Sequence, residues 1–327
     1  MSSPARSASR LRRAAGAPWL RRTLRHALPA AALALALTSC ARTPSAEAFD
    51  GKRAYSWVAR QVAFGPRAPG TAAHDSCFAA LVASLRQNAD IVEVDSFHYE
   101  SPELGKDLRL MNALARFRPD QSRRVLLAAH WDTRPWADRD PDPKLRDRPI
   151  IGANDGGSGV AVLLALAEHL KRRAPAIGVD IALFDGEDLG TDKNPDGYFR
   201  GSKRYLEWRA GQPPPLFVIV LDMVGKKDAS FFWEGNSYRS APNIVVLVWD
   251  KARDLGLRQF RNGVKYTIAD DHAPFIGALI PAIDVIDFDF PEWHTHKDDL
   301  SVIDPASLEA VGRILQSLVT DADYLSN

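Results

Sequence analysis

Cysteine is almost missing from this sequence: Cys40 and Cys77 are the two among 327 residues. Two cysteines make neither a disulfide framework nor a thiolate metal cage, which excludes small stapled scaffolds and zinc fingers. An excess of either charge is missing too, with 42 Lys and Arg against 41 Asp and Glu. Without a basic stripe or an aromatic-basic face, nucleic acid is not an expected partner. The apolar run Ala27 to Leu37 is too short to span a bilayer. There is no HExxH zinc-protease helix, no GxSxG nucleophile elbow and no P-loop, so serine-hydrolase and nucleotide chemistry lose support. What remains is an ordinary globular composition, 46% hydrophobic and 25% charged, in a length that suits one large α/β domain.

The N-terminal part reads as a targeting segment. Arg6 to Arg25 is rich in arginine and free of acids, and Ala27 to Leu37 follows as a signal h-region. Leu37-Thr38-Ser39-Cys40 resembles the lipobox of bacterial lipoproteins, which implies cleavage before Cys40 and acylation of its sulfur and amino group. A plain signal peptide with an incidental cysteine is the alternative. Ala41, where an aspartate would retain an enterobacterial lipoprotein at the inner membrane, points to the outer membrane. The expected division is residues 1–39 signal, 40–48 tether and 49–327 catalytic domain. The expected location is the periplasmic side of a bacterial envelope, with the lipid as the sole membrane contact. Cys77 lies on a helical pattern and is expected to be a buried thiol.

Beyond the tether, strand and helix patterns alternate. Val125 to Ala129, Ile181 to Phe184, Leu216 to Leu221 and Ile280 to Ile286 are short apolar runs, read as buried strands. Ile91 to Tyr99 and Asp107 to Phe117 read as half-buried strands, and Ser230 to Trp233 as a further one. Helical patterns cover Phe49 to Val62, Asp75 to Gln87, Gly159 to Arg173, Ser202 to Arg209, part of Ala241 to Gly256 and Pro305 to Leu325. The alternation indicates a single α/β domain around a mainly parallel sheet. The charged loop Thr133 to Pro149 reads as solvated, with no chemistry assigned.

Acids and histidines close one strand after another: His130 and Asp132, Asp155, Glu187 and Asp188, Asp222, Asp270 to His272, and His294. Open α/β sheets build their sites at the carboxyl ends of strands. Carboxylate and imidazole without thiolate favour zinc in an open, catalytic arrangement. Taken singly each residue fits a turn or cap; their recurrence at successive strand ends is the signal.

The series HWDT, GANDGGSG, FDGEDLG, LDMVG, DDHAPF and FPEWHT, with the loop FGPRAPGTAAH, resembles the animal-type glutaminyl-peptide cyclotransferases, a family with bacterial members and a zinc aminopeptidase-like fold. The resemblance runs from Phe49 to the C-terminus. It implies a central mixed, mostly parallel sheet with helices on both faces. It implies an acyltransferase that converts N-terminal glutamine of peptides and proteins to pyroglutamate and releases ammonia. One zinc would be held by Asp155, Asp188 and His294, with Glu187 as general acid and base. Asp222 and Asp270 would form a hydrogen-bonded acid pair, and Met223, Ile268, Phe290 and Trp293 would line the glutamine pocket. His74 and His272 would make supporting hydrogen bonds. The animal enzymes usually carry glutamate where this chain has Asp188. They carry a tryptophan after the acid pair, where Tyr198 or Phe199 would stand in. The segment from Phe290 to Trp293 is one residue shorter than in the animal pattern.

Two other readings stand beside this one. His130, Asp155 and Asp222 could hold a second metal, as in a two-zinc aminopeptidase that removes N-terminal residues; an Asp222 bonded to Asp270 would be a poorer ligand. A binding protein that has lost catalysis is disfavoured by the intact Glu187. For the N-terminal segment, Cys40→Ser is expected to abolish lipidation, leaving the protein unprocessed or released from the membrane fraction. Unchanged fractionation with normal cleavage before residue 40 would exclude the lipid anchor.

Overall fold

The computed structural model describes residues 48–321. The expected signal, the lipobox and nearly all of the tether lie outside the described residues. Four strands are buried along their whole length: β3 (Arg124–His130), β4 (Gly178–Phe184), β5 (Val218–Asp222) and β8 (Ala282–Ile286). β3 pairs in parallel with β4 and with β5, and β5 in parallel with β8. An antiparallel hairpin, β1 (Ile91–Ser101) and β2 (Lys106–Phe117), joins through β2 to β4, giving the order β1-β2-β4-β3-β5-β8.

Successive side chains of a strand point to opposite faces, and the core divides accordingly. Val125, Leu127 and Ala129 of β3 pack with α1 (Gly51–Val62), α2 (Ala72–Asn88), α3 (Ser158–Arg172), α6 (Pro242–Asp254) and α8 (Pro305–Asp321). Leu126 and Ala128 face the other way, toward Tyr205 of α4 (Arg200–Trp208) and Phe275 of α7 (His272–Gly277). α3 is buried almost all round, as its apolar first turns require. Cys77 is fully buried in α2. None of the described helices is long and apolar enough to cross a membrane.

Three elements carry no readable pattern in the sequence. β7 (Phe260–Tyr266, FRNGVKY) has no buried residue, so no alternation marks it; it pairs in parallel with β6 (Phe231–Glu234) as a separate two-stranded sheet. The helices α5 (Gly235–Ser240) and α7 are six residues each, shorter than a periodicity can show. The loop Thr133 to Pro149 departs from its expected solvation: Thr133, Arg134, Ala137 and Asp140 are buried. Its two buried charges meet partners inside, Arg134 on Asp188 and Asp140 on His296, which composition alone does not reveal.

Glu234 ties the small sheet to the main one. Its carboxylate accepts from the backbone of Asn236, Ser237 and Ile268 at 2.7–3.0 Å and from the Ser237 hydroxyl, and lies 3.1 Å from His272 Nε2. Burial alone would raise its pKa, but His272 and the Asn236 and Ser237 amides hold it down at about 2. Through Ile268 and His272 it anchors the loop that carries Asp270. Glu234→Gln keeps the shape and loses the charge, and is expected to cost about 2 kcal/mol in urea unfolding at pH 7. A depressed pKa stabilises above the ordinary value of 4.5, and the wild-type advantage should fade as pH falls toward about 2.

Candidate active site and metal centre

Because β3, β4, β5 and β8 run parallel, their carboxyl ends deliver side chains to one edge. His130 ends β3, and Asp222 ends β5. Glu187 and Asp188 follow β4 across Gly186, whose φ of +73° lets the chain turn sharply there. Asp155 precedes α3, and His294 lies in the loop after β8.

Two groups of three ligand atoms result, each within 4.8 Å: His130, Asp155 and Asp222, and Asp155, Asp188 and His294, all buried. Asp155 belongs to both. Its Oδ1 lies 3.2 Å from His130 Nε2 and its Oδ2 lies 3.6 Å from His294 Nε2. Asp188 Oδ2 is 3.4 Å from His294 Nε2. The two groups differ in one respect. His130 Nε2 is hydrogen-bonded to Asp222 Oδ1 at 3.1 Å, whereas Asp155 Oδ2 and Asp188 Oδ2 are buried without a hydrogen-bond partner. Buried carboxylate oxygens of that kind are costly unless a cation completes them, so the set Asp155, Asp188 and His294 fits a metal.

Backbone amides fix the loops. Asp132 Oδ1 lies 3.5 Å from His130 Nδ1, and its two oxygens accept from Glu187 N at 3.2 Å and Asp188 N at 3.4 Å. Asp298 does the same for the loop before α3, accepting from Asn154 N at 2.7 Å and Asp155 N at 3.0 Å. Burial and the nearby Asp155 push Asp298 up to about 8. Gly156, at φ +80°, lets this loop press on β3; a Cβ there would sit 2.2 Å from Asp132 O. His74 lies 3.0 Å from both oxygens of Asp185 and stacks on Trp131, a supporting role like that of His272 on Glu234.

Arg134 and Asp138 sit at the centre of this edge, although the sequence marked their loop only as charged. Arg134 Nη1 donates to Asp188 Oδ1 at 2.6 Å, leaving Oδ2 free, and the same guanidinium takes both oxygens of Asp138 at 2.9 and 3.0 Å. Asp138 Oδ1 in turn lies 3.2 Å from His294 Nδ1, which turns Nε2 toward Asp155 and Asp188. The clue in the sequence is the Arg-x-x-x-Asp spacing just after HWDT.

Electrostatics of the edge demand positive charge. Burial opposes charging of His294, yet Asp188, Asp138 and Asp155 raise its pKa to about 9. His130 is raised well above its ordinary value by Asp132, Asp155 and Asp222 against the same burial cost. A divalent ion satisfies the same demand. Glu187 is pushed well up by burial and then by Asp188, Asp270 and Asp271, with His130 opposing. Asp222 rises to about 7 through burial, against its bond from His130 and with Asp270 adding.

The expected bond between Asp222 and Asp270 is not among the hydrogen bonds of the described residues. Asp222 Oδ1 lies 3.1 Å from His130 Nε2, and Asp270 accepts from the Asp271 amide. Behind them sits Asp284, 1% exposed, an acid that the sequence hides inside the apolar run of β8. Burial, Asp270 and Asp222 push its pKa well up, which favours its neutral form.

Glu187, Asp188, Asp155, Asp222, Asp270 and His294 open into one cavity of about 320 Å³, walled by Met223, Ile268, Phe288 and Trp293, with Tyr198 and Phe199 on the other side. Phe290 is a correction: it is 5% exposed and packs with Met223 and Ile286, which line the cavity together with Phe288, without reaching the cavity itself. Met223 at φ +46°, His294 at +57° and Phe199 at +60° hold left-handed backbone that non-glycine residues rarely adopt. All three are at this site. Arg134→Met is expected to weaken zinc binding about 10–100-fold, as loss of groups that orient ligands does. Chelator competition reads the affinity, and circular dichroism checks that the fold persists.

Comparison with known proteins agrees with this geometry. A Zn-dependent exopeptidase from Parabacteroides distasonis superposes with a TM-score of 0.79 at 41% identity, covering 84% of this chain and 99% of its own. A glutaminyl cyclase from Tannerella forsythia superposes with a TM-score of 0.79 at 39% identity, covering 83% and 98%. A glutaminyl-peptide cyclotransferase of Drosophila melanogaster is 27% identical over 278 residues, 77% of this chain and 75% of its own. The model of peptidase family M28 matches residues 112–319, from within β2 to the last turns of α8. That span contains every acid and imidazole of the two ligand groups, and on these grounds the chain belongs to peptidase family M28.

Proposed function

We propose that this protein is a zinc-dependent glutaminyl-peptide cyclotransferase that closes N-terminal glutamine to pyroglutamate and releases ammonia. The observation that carries the reading is Glu187: a half-buried carboxylate beside the Asp155, Asp188 and His294 group, facing a small cavity with apolar walls. Names of relatives support it, since cyclases recur among both the sequence relatives and the solved structures.

Zinc held by Asp155, Asp188 and His294 would supply Lewis acidity toward a carboxamide oxygen. The protein's own groups do the rest. Met223, Ile268, Phe288 and Trp293 enclose the glutamine side chain, so amine and carboxamide of one residue meet in a cyclising pose. Glu187 takes a proton from the α-amino nitrogen as that nitrogen bonds the γ-carboxamide carbon. It returns the proton to the amide nitrogen as the carbon–nitrogen bond breaks, and ammonia leaves. Asp270 and Asp222, on the same floor, accept hydrogen bonds from the amine and keep it oriented. The raised pKa of Glu187 suits a group that both takes and gives a proton.

One zinc per chain is part of this reading, because the orphaned oxygens belong to one group alone. A two-zinc aminopeptidase is the second reading, favoured by the closeness of His130, Asp155 and Asp222. The lipid anchor at Cys40 and a periplasmic, outer-membrane location complete the proposal, with peptides and proteins bearing N-terminal glutamine as substrates.

Metal analysis and two assays separate the readings. Ammonia should be released from glutaminyl peptides, Leu-anilide should remain uncleaved, and about one zinc should be bound. Two tightly held zincs with rapid Leu-anilide cleavage would favour the aminopeptidase. Glu187→Gln should keep its zinc and lose at least about 100-fold in rate, as for a general base. His294→Ala should lose the zinc. Full activity in the Glu187→Gln protein, or full metal occupancy in the His294→Ala protein, would overturn these roles.

A further inference from the structure

Phe288 enters the cavity wall from the segment Asp287-Phe288-Asp289, whose two acids do not line it. Each acid is taken by a lysine from elsewhere in the chain. Asp287 is fully buried; its Oδ2 lies 3.0 Å from Lys226 Nζ and accepts from Ser230 N at 2.8 Å. Its Oδ1 accepts from Asp289 N at 3.2 Å, a short turn that spans Phe288. Lys226 also donates to the Asp289 carbonyl, and Lys265 of β7 holds the Asp289 carboxylate. We propose that the ion pair of Lys226 and Asp287 is a positioning device for the glutamine pocket, setting the backbone from which Phe288 walls it. The proposal rests on the cyclase reading, which makes that cavity the pocket.

Lys226 stands on backbone that is itself fastened. It follows the wall residue Met223 by three positions, and its carbonyl accepts from Ser307 Oγ at 2.7 Å. Lys227 N donates to Val302 O at 2.9 Å, and Asp304 N to Gly225 O at 2.8 Å. The chain after β5 is thus tied to the start of α8, and the lysine side chain carries that tie to the segment after β8. Ring contacts alone would not do so. Phe288 meets Trp293 at 5.0 Å and Tyr266 at 6.0 Å between ring centres, apolar contacts without direction that leave the backbone free to shift. The ion pair does have direction. Asp287 is cut off from water and the Lys226 side chain is 17% exposed, so salt screens the pair weakly. Removal of the lysine would deprive a buried carboxylate of its bonded cation, and the segment would turn toward water. The pair of Lys265 and Asp289 differs, at 39% and 50% exposed, and pairs so exposed contribute little.

Steady-state ammonia release from one glutaminyl peptide tests this on the purified protein. Lys226→Met should raise KM about tenfold and leave kcat within about twofold, because it touches neither Glu187 nor the ligand group. Lys226→Arg restores the cation and should bring KM to within about threefold of wild type, and Lys265→Met should change it less than about twofold. Phe288→Ala should also raise KM about tenfold. Lys226→Met added to Phe288→Ala should then raise KM by no more than about twofold again, as for two residues that act through one contact. Circular dichroism checks folding. Should the Lys226→Met protein not fold, Asp287→Asn breaks the pair without leaving a buried charge and enters the same comparison with Phe288→Ala. Independent effects that multiply to about a hundredfold, or a loss in kcat with KM unchanged, would overturn the role of the pair alone. A wild-type protein that releases no ammonia would overturn the cyclase reading and this inference with it.

Discussion

Repulsion among carboxylates is the constraint on which this molecule turns. Asp155, Asp188, Asp222 and Glu187 converge at one edge of the sheet, with Arg134 as the permanent cation bonded among them. Like charges a few ångströms apart in a poorly solvated site cost several kcal/mol, so nothing in the site would stay in place unaided. The structure meets this in three ways. Arg134 neutralises Asp188 from outside, His130 and His294 draw protons from solvent, and the orphaned oxygens of Asp155 and Asp188 wait for a cation. The apolar sheet beneath supplies the rigidity. Loops with this much internal repulsion could not hold shape if they were not short extensions of buried parallel strands.

Much of this was legible before the fold was seen, and the reasons are specific. Strands such as VLLAA and IALF are apolar without interruption, so their ends can be found and the acids at those ends stand out. The ligand triads followed from the resemblance of the segments that carry those acids and histidines to a known family. Arg134 and Asp138 escaped because their loop, PWADRDPDPKLRDRP, has the composition of solvent-facing chain, and pairing of opposite charges leaves no periodic trace. Asp284 escaped for the opposite reason: one acid inside AIDVI looks like an interruption of a strand, and its burial depends on neighbours distant in sequence. Phe288 and Phe290 are separated by one residue, and loop backbone rather than composition decides which of them reaches the cavity. Residues of β7 were invisible because none is buried.

A shared fold with peptidases leaves the chemistry to a few contacts. The same edge that would hold two ions in an aminopeptidase has, in this chain, one histidine already bonded to one of the acids. Phe288, Trp293 and Met223 wall the cavity beside these charged groups. Selectivity between cutting a peptide bond and closing a ring therefore depends on shape around a common set of charged groups.

Asp132 and Asp298 hold the two ligand-bearing loops by main-chain amides, and this has a consequence for how such sites change over generations. A loop tied through its backbone keeps its course whatever side chain it displays. The position of Asp188 is thereby insulated from its identity, and glutamate or aspartate can occupy it while the amide beneath stays in the grip of Asp132. Lineages can exchange the longer arm for the shorter in one step, with no need for a compensating change in the strand below. The acid that never touches the substrate is then the one least free to vary.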